Sequence, residues 1–222
     1  AQSIQAINLI FGGLVKLDDL LIVAPDGAES WTISDDGTVY TFTIREGLMF
    51  ADGTPVTAQD FANSINRALQ PATASYGASF QLGHIVGAND VAAGTATAAS
   101  GIVVVDERTL EITLDANVPY FLAQLTYPVS FVVPLQAVES DPTGWTEMAF
   151  GTGPFKVKEW QHNQKLILEP NPNYWAGAPA LSEVELPFFQ DSETAYQLYR
   201  TGGLDIMGSQ QNPIPSARVP EV

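Results

Sequence analysis

The chain has 222 residues, 45% hydrophobic and 15% charged, with nine Lys and Arg against 25 Asp and Glu, a formal net charge of −16. That length and composition predict a globular chain with a substantial core, organised as one large or two small domains. So acidic a chain lacks the clustered cations that nucleic acids and anionic membranes require, and the absence of cysteine excludes disulfides and thiolate zinc sites.

Residues 1–14 carry Ile4, Ile7, Phe11 and Leu14 on one helical face, with Gly12-Gly13 as the stop. Two short strands are expected at residues 14–17 and 20–24, around Asp18-Asp19. Ser34-Asp35-Asp36-Gly37 reads as a turn, because Asp side chains bond local backbone and Gly tolerates positive φ. Residues 39–45 then alternate, with Tyr40, Phe42 and Ile44 facing one way and Thr41, Thr43 and Arg45 the other. That is the period of a half-buried antiparallel strand. After turns at Glu46-Gly47 and Asp52-Gly53, Thr57 and Asp60 form a variant capping box. Phe61, Ile65 and Leu69 recur at helical spacing until Pro71.

Residues 72–94 are rich in Gly, Ser and Ala around Tyr76 and Phe80, and predict a loop with one short helix near residues 88–93. A second hairpin is expected from residues 102–105 and 109–114, joined by Asp106-Glu107-Arg108. Pro119 is suited to begin a helix bearing Tyr120, Phe121 and Leu125. Residues 129–133 are a continuous apolar run between Pro128 and Pro134, expected to be a buried strand crossing between subdomains. Short helices follow at residues 136–140 and 145–148, then a third hairpin at 155–160 and 166–169 around Asn163-Gln164, a loop at 170–179 and a strand at 183–189. Asp191 is positioned to cap a helix over residues 192–201 that Gly202-Gly203 ends, and a further strand is expected at 204–207. The tail from residue 210 holds three prolines and reads as extended or frayed.

No catalytic constellation emerges. The Gly151–Lys156 stretch lacks the third glycine and the following acidic unit of a dinucleotide loop, so a turn before a strand is expected there. His84 and His162 are far apart and have no third ligand at metal-binding spacing. Asp18-Asp19 and Asp35-Asp36 lie in turns, where local hydrogen bonding accounts for them. No run of eighteen apolar residues predicts a membrane span, and no basic leader opens the sequence.

Across residues 28–67 the chain reads A-E-S-W, S-x-D-G, Y-T-F-x-I-R-x-G, F-x-D-G-x-P-x-T-A-x-D-F and S-x-x-R in register. This resembles the signature of the solute-binding proteins that deliver peptides to ABC importers, the peptide and nickel group. The second half repeats the likeness in Gly151-Thr152-Gly153-Pro154-Phe155-Lys156, in N-x-x-L-x-L-E-P-N-P-N-Y-W at residues 163–175, and in Tyr199-Arg200-x-Gly-Gly-Leu-Asp-Ile. The run from Tyr76 to Ile85 and the Val118-Pro119-Tyr120-Phe121 stretch are similar to the oligopeptide-binding members in particular.

The resemblance implies a mixed α/β, type II periplasmic-binding-protein-like fold, of which this chain is the first lobe. Residues 1–11 would belong to the main lobe, 12–135 to a hairpin-rich subdomain, and 136–222 to the main-lobe sheet and helices, ending near the hinge. A preceding strand, a secretory signal and a second lobe would lie outside this sequence. The family works as the periplasmic or extracytoplasmic binding component of an ABC transporter, with a peptide ligand, membrane permease subunits as partners, and neither cofactor nor catalysis. Open sheet edges near residues 184–189 are expected to stay exposed or to pair with another copy. By the same resemblance Tyr76 and Tyr127 would touch the ligand, and Ser209, Gln210 and Gln211 would meet its main chain by strand addition. On residue type alone, Tyr76 is equally a surface tyrosine, Tyr127 a packed helix-end residue, and Ser209, Gln210 and Gln211 a solvated exit to the hinge. The group holding the ligand's free amine would sit on the other lobe, leaving about half a site here. A non-peptide ligand (a nickel complex, sugar, opine or haem) and a non-transport peptide-binding module remain alternatives on the same scaffold.

Overall fold

The computed structural model describes residues 3–208 and 213–221. Chain order begins with helix α1 (Ser3–Ile10) and a small hairpin of β1 (Val15–Leu17) and β2 (Val23–Pro25). At the tip of that hairpin the Asp18 carboxylate accepts the Leu20 and Ile22 N–H groups at 2.9 and 2.8 Å. The second strand therefore starts three residues later than its apolar run suggested, because residues 20–22 are spent on the turn.

Strands β3 (Ala28–Ile33), β4 (Val39–Ile44), β5 (Ile102–Val104) and β6 (Thr109–Thr113) form an antiparallel sheet in the order β3-β4-β6-β5. The alternation in β4 has its expected result: Tyr40, Phe42 and Ile44 are buried, matched on β6 by Leu110 and Ile112. Over this face packs α2 (Ala58–Leu69), which buries Phe61, Ile65 and Leu69. At its start Asp60 accepts both the N–H and the hydroxyl of Thr57, at 2.8 and 2.7 Å. The shorter Asp thus fills the role of the longer acid usual in a capping box.

The Gly- and Ser-rich stretch after Pro71 is more helical than its composition suggested. It folds into a 3-10 turn at Pro71–Thr73, α3 (Ala78–Leu82) and α4 (Ala88–Ala92). Buried Ala78, Leu82, Ala88 and Val91 explain this, since they seal the edge of the same core. The helix expected at Pro119 begins two residues later, as α5 (Phe121–Gln124). Phe121 meets Tyr40 edge-on at 5.1 Å between ring centroids.

Residues 129–133 are not a strand. Pro128–Ser130 is a 3-10 turn with proline at its first position, and Ser130 Oγ donates to the Leu125 and Tyr127 carbonyls at 2.6 and 2.8 Å. Val132 and Val133 run on extended, but their N–H groups go to the Gly12 carbonyl and to Ser64 Oγ rather than to a ladder. The run is largely buried, as its composition implies, but among the described residues no strand pairs with it.

A second hydrophobic cluster lies around α1. It is built from Ala6 and Ile10, from β7 (Phe155–Gln161), β8 (Lys165–Pro170) and β9 (Val184–Pro187), and from Trp145 of the short helix Trp145–Met148, which α6 (Leu135–Ser140) precedes. The order β7-β8-β9 is antiparallel throughout. Ion pairs Lys158–Glu183 and Lys165–Glu185, at 2.6 and 2.9 Å, tie β7 and β8 to β9 and the residue before it. Helix α7 (Ser192–Arg200) follows, with the Asp191 carboxylate accepting the Thr194 N–H at 2.8 Å. Residues 204–207, expected as a strand, form none; among the described residues no segment lies beside them to complete a ladder. Part of the tail is a 3-10 helix, Ser216–Glu221, rather than extended.

Candidate functional site

The two clusters meet at a polar joint. Asp26 is buried, and its carboxylate accepts the Gly13 N–H and the Trp175 indole N–H, each at 3.2 Å. Arg45 donates to the Asp26 carbonyl at 3.1 Å while its guanidinium lies 3.8 Å from the Trp175 ring centroid, and Lys16 Nζ sits 5.0 Å from the same ring. Burial pushes the Asp26 carboxyl above the usual carboxylate range, against the pull of Lys16, the two hydrogen bonds and Arg45. Nearby Tyr174 is also raised, by its own burial and by the negative charge of Asp26.

Around this joint Gly151 and Gly153 pass so close to the end of α1 that a Cβ at either would lie 2.5–2.6 Å from the Ile10 or Leu9 carbonyl. Asn171, fully buried, donates to the Gly153 carbonyl at 2.7 Å, and Ala51 N–H donates to the Gly151 carbonyl at 3.0 Å. The Gly151–Pro154 turn is therefore a close-packing junction against the end of α1, where the Gly153 N–H donates to the Ile10 carbonyl at 2.9 Å.

Two surfaces flank the joint. One is an aromatic rim on the hairpin-rich side. Tyr76 is completely exposed just before α3, and Tyr127 is half exposed at the entry to the Pro128–Ser130 turn. Their segments abut, since a Cβ on Gly77 would lie 3.7 Å from Val129 Cγ1. Phe80 and Tyr120 are exposed on the same elements and were not singled out from sequence. Phe80 sits in the same Gly- and Ser-rich stretch as Tyr76, but Tyr120 was expected on the helix at Pro119, and only the fold shows that both rings stay exposed. Ser209, Gln210 and Gln211 lie outside the described residues.

The other surface is an apolar groove of about 1030 Å³ between α1, the β7-β8-β9 sheet and residues 204–207. Phe11, Trp160, Leu186, Phe188 and Ile206 are among its walls, and the outer edge of β9 opens onto it unpaired among the described residues. Among the described residues no three His, Asp or Glu side chains converge as a metal site would need. His84 pairs with Asp115 and His162 with Glu147, each through a single carboxylate.

The profile of bacterial extracellular solute-binding proteins, family 5 (middle), matches residues 23–219. The chain belongs to this family. It is 38% identical to the periplasmic oligopeptide-binding protein OppA of Salmonella typhimurium over 202 residues, 89% of this chain and 37% of that protein. It is 37% identical to the probable deoxycholate-binding periplasmic protein YgiS of Escherichia coli, over 96% of this chain and 41% of the relative. Among solved structures, the Escherichia coli murein tripeptide binding protein MppA superposes with a TM-score of 0.91 at 34% identity, covering all of this chain and 43% of its own. The family 5 chain thus spans about 40% of the length of these relatives. The fold is accordingly the mixed α/β, type II binding-protein kind.

Proposed function

We propose that this chain is the first lobe of the substrate-binding component of an ABC importer, and that the intact protein captures peptides between two lobes for delivery to a membrane permease. The observation that carries this reading is the likeness, over the whole chain, to MppA, whose name records a murein tripeptide as ligand. The rim geometry supports it. Exposed rings with hydroxyls, as at Tyr76 and Tyr127, stack on and hydrogen-bond a varied ligand at low conformational cost. Ser209, Gln210 and Gln211 complete the reading as main-chain contacts by strand addition.

In this reading residues 1–11 and 136–222 form the main part of the lobe, and residues 12–135 a subdomain beside the cleft. The apolar groove is a packing face for a further segment of a polypeptide of the relatives' length, because its walls offer few polar anchors to orient a ligand. Action is extracytoplasmic, as the periplasmic names of the relatives suggest, and it involves capture without chemistry. A second reading has one observation in its favour: YgiS, similar over 96% of this chain, is named for deoxycholate, so the scaffold also fits a bile-salt-like amphiphile.

Calorimetry of the full-length protein against tripeptides and against deoxycholate tests both. Peptide binding that falls at least about tenfold in Tyr76→Ala or Tyr127→Ala supports the first reading, since ring contacts at a ligand carry on the order of 1–2 kcal/mol. Deoxycholate binding without peptide binding overturns it.

A further inference from the structure

A second pocket, of about 370 Å³, lies on the hairpin-rich side and shares no residue with the proposed ligand contacts. Its parts are held firmly. An isolated bridge between Ile85 and Leu114 puts His84 beside Asp115, the Asp115 N–H donates to the His84 carbonyl at 2.9 Å, and His84 Nδ1 lies 3.2 Å from Asp115 Oδ1. Across the pocket, Gln124 Nε2 donates to the Phe80 carbonyl at 3.3 Å. That bond fixes α5 against α3 and stands the Phe80 and Tyr120 rings, both exposed, as walls.

The pocket has unspent acceptors. Gln124 Oε1 is buried in its wall without a partner, an arrangement native structures seldom leave uncompensated. Asp115 Oδ2, Tyr120 Oη and Ser79 Oγ also have no protein partner among the described residues, and Asp115 remains half exposed. No Lys or Arg lines the pocket. Several cations are engaged elsewhere: Lys16 and Arg45 with Trp175, Arg108 with Glu29, Lys156 with Glu169, Lys158 with Glu183, Lys165 with Glu185 and Arg218 with Glu193. With a chain charge of −16, the site is set to accept a cation.

We propose that the pocket walled by Phe80 and Tyr120 and floored by Asp115 and Gln124 is an auxiliary site for a guanidinium or primary ammonium group. The Asp115 carboxylate supplies a charge-assisted hydrogen bond, and the two rings supply cation–π contact to the same head group. Seating the head group requires the Gln124 amide to turn its oxygen from the wall toward the opening, giving up the long Nε2 bond to the Phe80 carbonyl in exchange. The same chemistry serves a free small cation or a basic side chain of a bound peptide.

The test is amide NMR of the 222-residue chain with three probes: agmatine, N-acetyl-arginine methylamide, and N-acetyl-citrulline methylamide, the neutral near-isostere of the second. The expected result is saturable shifts in the millimolar range confined to residues 79–84, 115 and 120–124 for one or both cations, and none for citrulline. Agmatine alone would identify a free cation, and the arginine amide a peptide side chain. Asp115→Asn is expected to weaken binding about tenfold, the loss typical of a hydrogen bond to a charged group, and Tyr120→Leu about threefold through the cation–π contact. Equal shifts from the citrulline probe, shifts mapping elsewhere, no saturable shift from either cation, or unchanged binding in a folded Asp115→Asn protein would each overturn the proposal.

Discussion

Removing the carboxylate of Asp26 is the most informative perturbation of the fold. In Asp26→Ala the Gly13 N–H and the Trp175 indole N–H, which Asp26 accepts at 3.2 Å each, lose their acceptor in a buried setting. Lys16 and Arg45 also lose the Asp26 carboxylate that offsets them at the Trp175 ring. Each unpaired buried donor costs about 1–3 kcal/mol, so about 3 kcal/mol in all is a restrained expectation. At about 2–4 °C per kcal/mol for a chain of this size, that is a fall of about 6–12 °C in Tm. Asp26→Asn keeps one acceptor oxygen but turns an NH2 toward the other donor, and is expected to cost about half as much. The pH dependence has a definite sign. Because burial raises the Asp26 carboxyl above its unfolded value of 3.8, the native state binds that proton more tightly than the unfolded state does. Its contribution is most favourable when protonated and declines as pH rises through the raised value. The gap between wild type and Asp26→Asn should therefore be wider at pH 4 than at pH 7. Thermal melts give the Tm shift, and urea unfolding at pH 4 and pH 7, both followed by tryptophan fluorescence, gives the gap. A Tm within about 2 °C of wild type for Asp26→Ala, or a gap wider at pH 7 than at pH 4, would refute the reasoning.

Other consequences follow from particular contacts. Gly153→Ala would drive a Cβ to 2.6 Å from the Leu9 carbonyl and 2.7 Å from Ile10 C, backbone atoms that cannot swing aside, and should cost about 1–3 kcal/mol in chemical denaturation. Tyr76→Ala, at a fully exposed ring, should shift stability by under about 0.5 kcal/mol, which would separate any loss of ligand affinity from loss of fold. Asp36, Asp106 and Asp191 are held below the usual carboxylate range by hydrogen bonds from Ser34, from Arg108 N–H and from Thr194 N–H respectively. Their stabilisation is present above the unfolded value of 3.8 and lost as pH falls through the depressed values, so Asp191→Asn should narrow its stability deficit in acid. Sedimentation of the 222-residue chain should reveal concentration-dependent self-association through the open β9 edge, and a Glu185→Pro variant, which removes an edge donor, should reduce it.

Much of the fold could be read from local pattern. The period-two run in β4, the Asp-Gly turns, the Thr57–Asp60 start of α2 and the Asp191 cap of α7 each draw their geometry from residues within a few positions, and each formed as expected. Residues 129–133 and 204–207 misled because a short apolar run states that it is buried but not whether a strand lies beside it. The short helix expected near residues 88–93 formed as α4, but composition hid α3, whose helicity comes from packing Ala78 and Leu82 onto a distant core. The joint was illegible for the same reason: Asp26 and Trp175 are 149 residues apart, and nothing local marks a buried Asp as the acceptor for an indole. Of the rim, Tyr76 and Tyr127 stood out through the family resemblance, whereas Phe80 and Tyr120 needed the fold to show that they remain exposed.

The most direct test of the central claim is native mass spectrometry of the full-length protein, followed by release and identification of whatever it retains. The account predicts short peptides in a one-to-one complex, lost when Tyr76 and Tyr127 are both replaced by Ala. A retained bile salt, sugar or metal complex in place of peptides would contradict it.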